Sequence, residues 1–180
     1  VYAYVLAAQG GTVFTGSAKA QLVFADGKVA IVDTKEDYST SLVNHLVSYT
    51  VKDDVYTLKA VDAVNATATV TTTRGKTAIS LSADAGITNA SSATVFVVAT
   101  KVAGKPVYTA YTGYTAVPTI TSSGNVSYAV AANAANGKVA DFVYIDCTDG
   151  GKVSGNATTE TFAYVLYNDS IPNTTDTNGT

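Results

Sequence analysis

The chain has 180 residues, a formal net charge of −3, a pI near 4.9 and one cysteine. Binding of nucleic acid requires a stripe of positive charge, whereas the 11 basic residues are scattered singly, so no nucleic-acid partner is expected. One cysteine excludes an internal disulfide, and every apolar run is far shorter than the ~20 residues of a membrane-spanning helix, so no membrane span is expected.

The composition favours an all-β fold. Hydrophobic residues make up 47% of the chain, and much of that fraction is Ala, Val and Tyr; charged residues make up only 14%, and Thr and Ser fill the remaining positions. Side chains that are β-branched or aromatic pack well on a pleated surface. A chain of this length can bury a real core without disulfides or metals.

The first predicted strand covers residues 2–6, where large and small apolar residues alternate as in a half-buried strand. The same pattern returns at residues 162–166, about one domain length later. We therefore expect one whole repeat followed by the opening strand of a further repeat. That second strand is expected to pair with another molecule or with an open sheet edge.

A hairpin is predicted next, with strands at about residues 18–25 and 28–33. The Asp26-Gly27 pair between them predicts a type I′ turn, which needs positive φ at both central residues. The buried face of the first arm is predicted to carry Ala20, Leu22 and Phe24, and its solvent face Lys19 and Gln21.

Residues 34–44 are polar and charged, which predicts a loop or one helical turn. A second hairpin follows, with strands at residues 46–51 and 55–61. Five short strands can close a small barrel, and closure removes exposed strand edges. The core candidates of the second hairpin are Tyr49, Val51, Tyr56 and Leu58.

A second set of strands is predicted at residues 66–73, 76–82, 94–98, 107–111, 126–131 and 138–147. Pro106 precedes one of them and has no amide hydrogen, so it must open that strand or lie at a sheet edge. Residues 148–161 are mostly Thr, Asp, Gly, Ser and Asn, which is typical of a linker.

The predicted organisation is two small barrel-like or sandwich β units in tandem, at residues 1–63 and 64–147. A linker at 148–161 joins them to residues 162–180, which hold the strand of the next repeat and a tail expected to be disordered. The chain does not begin with Met, so we expect targeting signals to lie outside it.

Five stretches share their order and pattern with a known family. They are residues 2–6, 22–29, 55–58, 107–113 ahead of Val117-Pro118, and 139–146. Together they resemble the repeated β modules found beside S-layer homology (SLH) domains in cell-surface proteins of anaerobic Gram-positive bacteria. The likeness spans most of residues 1–170, and the absence of Met and Trp is typical of bacterial surface proteins. No S-layer homology domain lies within the chain, so wall anchoring is not assigned to it.

The resemblance implies a secreted protein of the bacterial cell wall or S-layer, in which this region is a structural spacer, lattice or display module. Its implied partners are neighbouring repeats or protomers of the same surface protein. Stacked repeats extend such a protein because each unit buries its end against the next.

Candidate residues for chemistry are few. His45 is the only histidine and has no partner of the right kind nearby, so we expect a structural or solvent-facing role. Cys147 lies beside acidic residues that raise a thiol pKa, which predicts an inert, partly buried thiol. Asp53-Asp54, and Asp146 with Asp149, could supply oxygen ligands to calcium, but neither pair has the spacing of a dedicated calcium loop, and turn capping is the favoured role.

The sequence therefore predicts no enzyme, no cofactor and no metal site. The alternative function is a glycan- or ligand-binding (adhesin-like) module that binds wall glycan or a host ligand through Tyr108, Tyr111 and Tyr114, which lie close together near Gly113. A hydrolase is a third hypothesis, and it would require a concave pocket with two converging carboxylates.

Overall fold

The computed structural model describes residues 1–14, 16–81, 89–122, 126–132 and 139–154. All regular structure in these ranges is β, which confirms the predicted all-β class. The strands form a closed barrel, a five-stranded sheet and a four-stranded sheet. The barrel strands are β1 (Tyr2–Gln9), β2 (Ala18–Phe24), β3 (Val29–Thr34), β4 (Leu46–Lys52) and β5 (Val55–Ala60).

Nine further strands follow the barrel in the described ranges. They are β6 (Ala63–Ala68), β7 (Val70–Thr72), β8 (Ile79–Leu81), β9 (Asn89–Val102), β10 (Lys105–Thr112), β11 (Thr119–Ser122), β12 (Val126–Ala132), β13 (Val139–Asp146) and β14 (Gly151–Ser154). The five-stranded sheet has the order β10-β9-β13-β12-β6, and the four-stranded sheet has the order β14-β11-β7-β8.

The barrel closes in the order β1-β2-β3-β5-β4. Strands β3 and β5 pair in parallel and the other neighbours pair antiparallel. Closure leaves the barrel without a free edge strand, as the sequence suggested.

The turn between β2 and β3 differs from the prediction. Gly27 has a positive φ of 81°, but Asp26 does not, and the Phe24 amide donates to the Lys28 carbonyl oxygen at 2.9 Å. The predicted type I′ turn is therefore wrong, because the loop has three residues and needs only its last one in the left-handed region. The β4–β5 turn does have positive φ at both central residues, Asp53 (51°) and Asp54 (62°).

The barrel core consists of buried residues from all five strands and from the segment between β3 and β4. Tyr38 and Leu42 lie in that segment, which forms turns, and the Tyr38 hydroxyl accepts a hydrogen bond from the Leu58 amide at 3.1 Å. The segment therefore fills the barrel rather than only linking two strands. The core residues are Ala3, Val5, Ala20, Leu22, Val32, Tyr38, Leu42, Val47 and Leu58.

Most of the predicted barrel side chains lie where expected. Ala20, Leu22 and Leu58 are buried, and Tyr49 and Tyr56 pack against the core while remaining half-buried. Val51 was a predicted core residue but is 47% exposed, because it lies near the end of the β4–β5 hairpin, beyond the packed interior.

The three central strands of the five-stranded sheet, β9, β13 and β12, are buried on both faces. Along β9 and β13, alternate side chains point to opposite faces, so the apolar runs 96–99 and 142–145 are buried throughout. One face packs on the four-stranded sheet and forms the sandwich core, which includes Val70, Ile79, Phe96, Val98, Ile120, Tyr128, Val130, Val143 and Ile145.

The other face of the five-stranded sheet packs on the outside of the barrel. We call this contact the junction cluster; its buried residues are Tyr4, Val23 and Leu46 from the barrel and Val97, Ala99, Ala129, Ala131, Phe142 and Tyr144 from the sheet. Because of it, the opening strand has consecutive buried residues at 3–5 instead of the half-buried pattern predicted for it. The described chain is thus three layers: barrel, five-stranded sheet and four-stranded sheet.

The predicted strand at 66–73 is two strands in different sheets. β6 pairs with β12, whereas β7 pairs with β8 and β11, and the chain passes from one sheet to the other at Thr69. Pro106 lies at the second position of β10, an edge strand, as its missing amide hydrogen requires.

The division of the chain at residues 63/64 stays a prediction, and the structure adds that the two predicted units share the junction cluster. The predicted linker at 148–161 contains β14, which pairs with β11, because Gly151–Ser154 supplies an outer strand to the four-stranded sheet. The predicted strand at 162–166 and the tail lie outside the described residues.

Candidate functional site

The three tyrosines predicted to bind a ligand do not share one surface. Tyr108 and Tyr111 both lie on β10, but an odd spacing places them on opposite faces of the sheet. Tyr108 packs against the junction cluster, whereas Tyr111 and Tyr114 pack against the sandwich core. All three side chains are half-buried, so the structure does not bring them together as one stacking platform.

Tyr108 instead belongs to a group of tyrosines near Asp146. Burial and then the negative charge of Asp146 raise the pKa of Tyr108. The same two causes, in the same order, raise the pKa of Tyr4 to about 12 and raise the pKa of Tyr144 further. These tyrosines stay neutral at physiological pH, which suits a packing role better than acid–base chemistry.

The carboxylates that could have held calcium have other partners. The Asp146 carboxylate accepts hydrogen bonds from the Thr148 amide at 2.9 Å and from the Thr148 hydroxyl at 2.6 Å. Asp149 pairs with the Lys101 ammonium at 2.6 Å on the exposed surface. Within the described ranges, no group of three or more His, Cys, Asp or Glu residues is placed to hold a metal ion.

His45 and Cys147 lie apart in different environments. His45 is exposed, and its Nδ1 atom lies 2.9 Å from the Val43 carbonyl oxygen. Cys147 is buried, and burial, followed by the charge of Asp146, raises its thiol pKa to about 11. The predicted direction of this pKa shift is confirmed, but burial rather than the acidic neighbour is its main cause.

An aromatic pocket that was not predicted from the sequence lies at one end of the barrel. The rings of Phe24, Tyr49 and Tyr56 have centroid separations of 5.4 to 6.2 Å. They line a cavity of about 350 Å³ together with Val1, Ala25 and Asp26. We call this cavity the aromatic pocket. Its three rings were predicted to belong to the core, and the place of Phe24 and Tyr56 at strand ends beside turns was the signal that they also reach the surface.

The electrostatics of the aromatic pocket are mild. The Asp26 carboxylate pairs with the Lys28 ammonium at 3.0 Å and also accepts a hydrogen bond from the Lys28 amide. These contacts, with the backbone hydrogen bond as the largest cause, lower the pKa of Asp26. Burial raises the pKa of Tyr49, with smaller contributions from Tyr56 and Asp26. The pocket thus has apolar rings beside a carboxylate whose charge is balanced by Lys28.

In the part of the chain that the structure describes, no helix has the length and apolar character needed to cross a bilayer. Comparisons of the chain with models of known protein families, with curated proteins and with solved structures found no match.

Proposed function

We propose that this chain is a non-catalytic structural or spacer module of a bacterial surface protein associated with the cell wall or S-layer. The surface location rests on the resemblance to repeated β modules of proteins with S-layer homology domains. The structural role draws its support from the packing of the three layers.

The observation that carries this proposal is the burial of both faces of the central strands of the five-stranded sheet. Its strands β9, β12 and β13 pack against the barrel on one side and the four-stranded sheet on the other. A spacer that holds its neighbours at a fixed distance must resist bending, and continuous packing across three layers provides that resistance. Two units joined only by a flexible linker would not resist bending in this way.

The contacts of the reactive groups also support a non-catalytic role. Cys147 is buried with a raised pKa, and the acidic groups next to it are bonded to Thr148 and Lys101. A nucleophile or general base needs an accessible group whose pKa suits the reaction. Asp146 instead caps the turn after β13, and Asp149 pairs with Lys101 on β9.

The test is deletion of this module from the surface protein that contains it. We expect the part of the protein beyond the module to move closer to the wall, as measured by electron tomography of labelled cells, with any activity of flanking regions unchanged. Loss of an activity or of ligand binding without a change in that distance would overturn the proposal.

The alternative, a glycan-binding or adhesin-like module, draws on Tyr111, which is half-exposed on the edge strand β10. Aromatic rings bind sugar faces, so saturable binding on a glycan array that is lost in Tyr111→Ala would favour this alternative. Val107→Ala is the control, since Val107 is 41% exposed on the same strand and carries no aromatic ring.

A further inference from the structure

The β9–β10 hairpin ends in two exposed apolar side chains, Val102 (58% exposed) and Val107 (41% exposed). By alternation, Val102 points to the same side of the sheet as Val98, which is buried in the sandwich core. Val107 likewise points to the same side as Tyr111, which packs against that core. These two valines therefore continue the sandwich face past the part that the four-stranded sheet covers. We call Val102 and Val107 the uncovered hairpin end.

The position of the four-stranded sheet explains why this end is uncovered. At one edge of that sheet, next to β8, Ala78 forms a β-bridge with Asn89 at the start of β9. At the other edge, Gly151 of β14 fits against Cys147, whose amide donates to the Ala99 carbonyl oxygen at 2.8 Å. The four strands therefore cover β9 from its start to about Ala99. The last residues of β9 and the first residues of β10 extend past β14.

Strand β14 has a free edge next to the uncovered hairpin end. In the described chain its one strand neighbour is β11, and β8 lies at the opposite edge of the same sheet. Val153 packs against the sandwich core, whereas Lys152 and Ser154 are exposed. A strand added to this free edge would extend the four-stranded sheet, and the extension would lie over Val102 and Val107.

The direction of β14 determines where the chain goes next. In sequence β11 lies between β10 and β12, which are separated in the five-stranded sheet by β9 and β13. Strand β11 therefore crosses that sheet from the β10 side to the β12 side. Strand β14 is antiparallel to β11, with Ser154 opposite Thr119, so it ends on the β10 side. A strand returning antiparallel to β14 would pass first over β10 and then over β9, which carry Val107 and Val102.

Residues 162–166 have the pattern and the length that this position requires. They read Phe-Ala-Tyr-Val-Leu, so three large side chains alternate with Ala and Val and form one large apolar face. Five residues match the four of β14. The polar residues 155–161 connect the two, and they can span roughly 23 Å at about 3.3 Å per residue, whereas neighbouring strands lie only ~4.8 Å apart. The connection is therefore long enough for a hairpin.

We propose that residues 162–166 add to the free edge of β14 as a fifth, antiparallel strand of that sheet, with Phe162, Tyr164 and Leu166 over Val102 and Val107. Of the two partners expected from the sequence, this is the open sheet edge of the same molecule. The connection at 155–161 gives the segment an effective concentration on the order of 1 mM at this edge, so a contact far smaller than a stable interface between separate molecules is enough. The inference goes beyond the proposed function and does not depend on it.

The first experiment is NMR spectroscopy of the full chain at a concentration at which sedimentation shows a monomer. We expect nuclear Overhauser contacts from the methyl groups of Val102 and Val107 to the ring protons of Phe162 and Tyr164. The amides of residues 162–166 should exchange with solvent at least about tenfold more slowly than those of an unstructured chain. Absence of the ring contacts, or exchange at the unstructured rate, would overturn the proposal.

A substitution at the uncovered hairpin end tests the docking surface. Val107→Lys should speed amide exchange in residues 162–166 at least about fivefold, because the apolar contact is lost and a charge lies under the added strand. Ile31→Lys is the matched control, since Ile31 is 70% exposed on β3 of the barrel. It should leave that exchange unchanged. Equal exchange in the two variants would overturn the proposal.

A second pair of variants tests which face of the added strand points inward. Tyr164→Ser should speed exchange in residues 162–166 and shift the methyl resonances of Val102 and Val107, because Tyr164 belongs to the large face. Tyr167→Ser is the matched control, since by alternation Tyr167 lies on the opposite face. It should behave like the wild type. A larger effect of Tyr167→Ser than of Tyr164→Ser would overturn the proposal.

A mixed sample shows whether the strand comes from the same molecule. One half of the chains carries labelled valine methyl groups and deuterated aromatic rings, and the other half carries protonated rings and unlabelled methyl groups. We expect no contacts between methyl groups and rings in this mixture. Contacts in the mixture would mean that a second copy supplies the strand and would overturn the proposal. The deletion experiment under Proposed function does not depend on residues 162–166, so either result leaves the spacer role standing.

Discussion

The ring of Tyr4 in the barrel lies on the ring of Tyr144 in the five-stranded sheet, with centroids 3.8 Å apart and an angle of 14° between the planes. Tyr2 adds a tilted contact with Phe142 at 5.8 Å. Both pairs lie in the junction cluster, where β1 meets β13. These rings connect the barrel to the rest of the molecule, so they decide whether the barrel and the sheets unfold together.

Tyr4→Ala should lower the free energy of unfolding by about 3–5 kcal/mol, because it opens a cavity between the layers and removes the stacked ring. Urea denaturation followed by circular dichroism measures the loss. We expect the wild type to unfold in one transition and Tyr4→Ala in two, since the barrel of the variant would no longer be held to the sheet. Val51→Ala is the control. Because Val51 is 47% exposed, this substitution should lower the free energy of unfolding by well under ~1 kcal/mol. A Tyr4→Ala protein as stable as that control would contradict the importance of the junction cluster.

Stability should fall at alkaline pH. Burial, with the charge of Asp146 as the smaller cause, raises the pKa of Tyr4 from 10.0 to about 12. Above pH 10 the unfolded chain loses this proton while the folded chain keeps it, so unfolding becomes more favourable until the folded pKa is passed. The pKa of Tyr144 is raised for the same reasons and adds to the loss.

The measurement is urea denaturation at intervals from about pH 8 to about pH 12, together with the tyrosinate absorbance of the native protein. In Tyr4→Phe the decline should be shallower, because one of the shifted groups is gone. A stability that is flat across this range, or native tyrosines that all ionise with an ordinary pKa, would show that the junction cluster is open to water.

Gly27 should tolerate substitution less well than Gly104. Both have positive φ, 81° and 78°, but a Cβ on Gly27 would lie 3.0 Å from the Tyr108 carbonyl oxygen, whereas nothing lies within 4 Å of one on Gly104. Gly104→Ala should therefore lower the free energy of unfolding by about 1–2 kcal/mol, which is the cost of placing alanine in the left-handed conformation. Gly27→Ala should cost at least ~1 kcal/mol more, because the turn is pushed away from the β10 backbone. Equal losses in thermal or urea denaturation would mean that the turn does not rest on β10.

Tyr128→Phe should leave stability unchanged or increase it by up to ~1–2 kcal/mol. The Tyr128 hydroxyl is buried in the sandwich core and has no hydrogen-bond partner among the described residues, and burial raises its pKa. A polar group buried without a partner costs desolvation energy that phenylalanine avoids. Tyr38→Phe is the contrasting variant, because the Tyr38 hydroxyl accepts a bond from the Leu58 amide, and it should lose stability. A clear loss in Tyr128→Phe would reveal a partner for its hydroxyl.

Local patterns were enough to predict the strands of the barrel. The alternation around Leu22 and the turn residues near Asp26 placed the first hairpin within one or two residues of β2 and β3. Hairpin pairing depends on neighbouring residues, which a sequence shows directly. The turn geometry was the local error, because three-residue and two-residue loops can carry the same Asp-Gly pair.

Burial on the second face could not be predicted in the same way. Tyr4 and Val23 lie on the outer face of the barrel, and nothing in their own strands shows that β9, β12 and β13 will cover that face. The same limit explains why the predicted group of binding tyrosines was wrong. Tyr108 and Tyr111 are near in sequence, but alternation along β10 places them against different cores. Contacts between distant segments depend on the assembled layers, and period-two patterns report only one strand at a time.

The aromatic pocket and the exposed turn between β1 and β2 were missed for a related reason. An aromatic residue in a strand was assumed to belong to the interior, although Tyr49 and Tyr56 lie where the barrel opens to solvent. Val13 and Phe14 lie in a short turn that showed no periodicity, so their exposure became visible only when the positions of β1 and β2 were known.

The place of β14 has a consequence for how such modules can be exchanged between genes. β14 follows the last residue of the predicted second unit, yet it covers one side of β11, and Gly151 fits against Cys147 with no room for a Cβ. A recombination breakpoint at residue 147 would strip that strand away and leave β11 as a bare edge, which invites aggregation. A transferred gene segment that encodes this fold must therefore continue at least through Ser154, the last residue of β14.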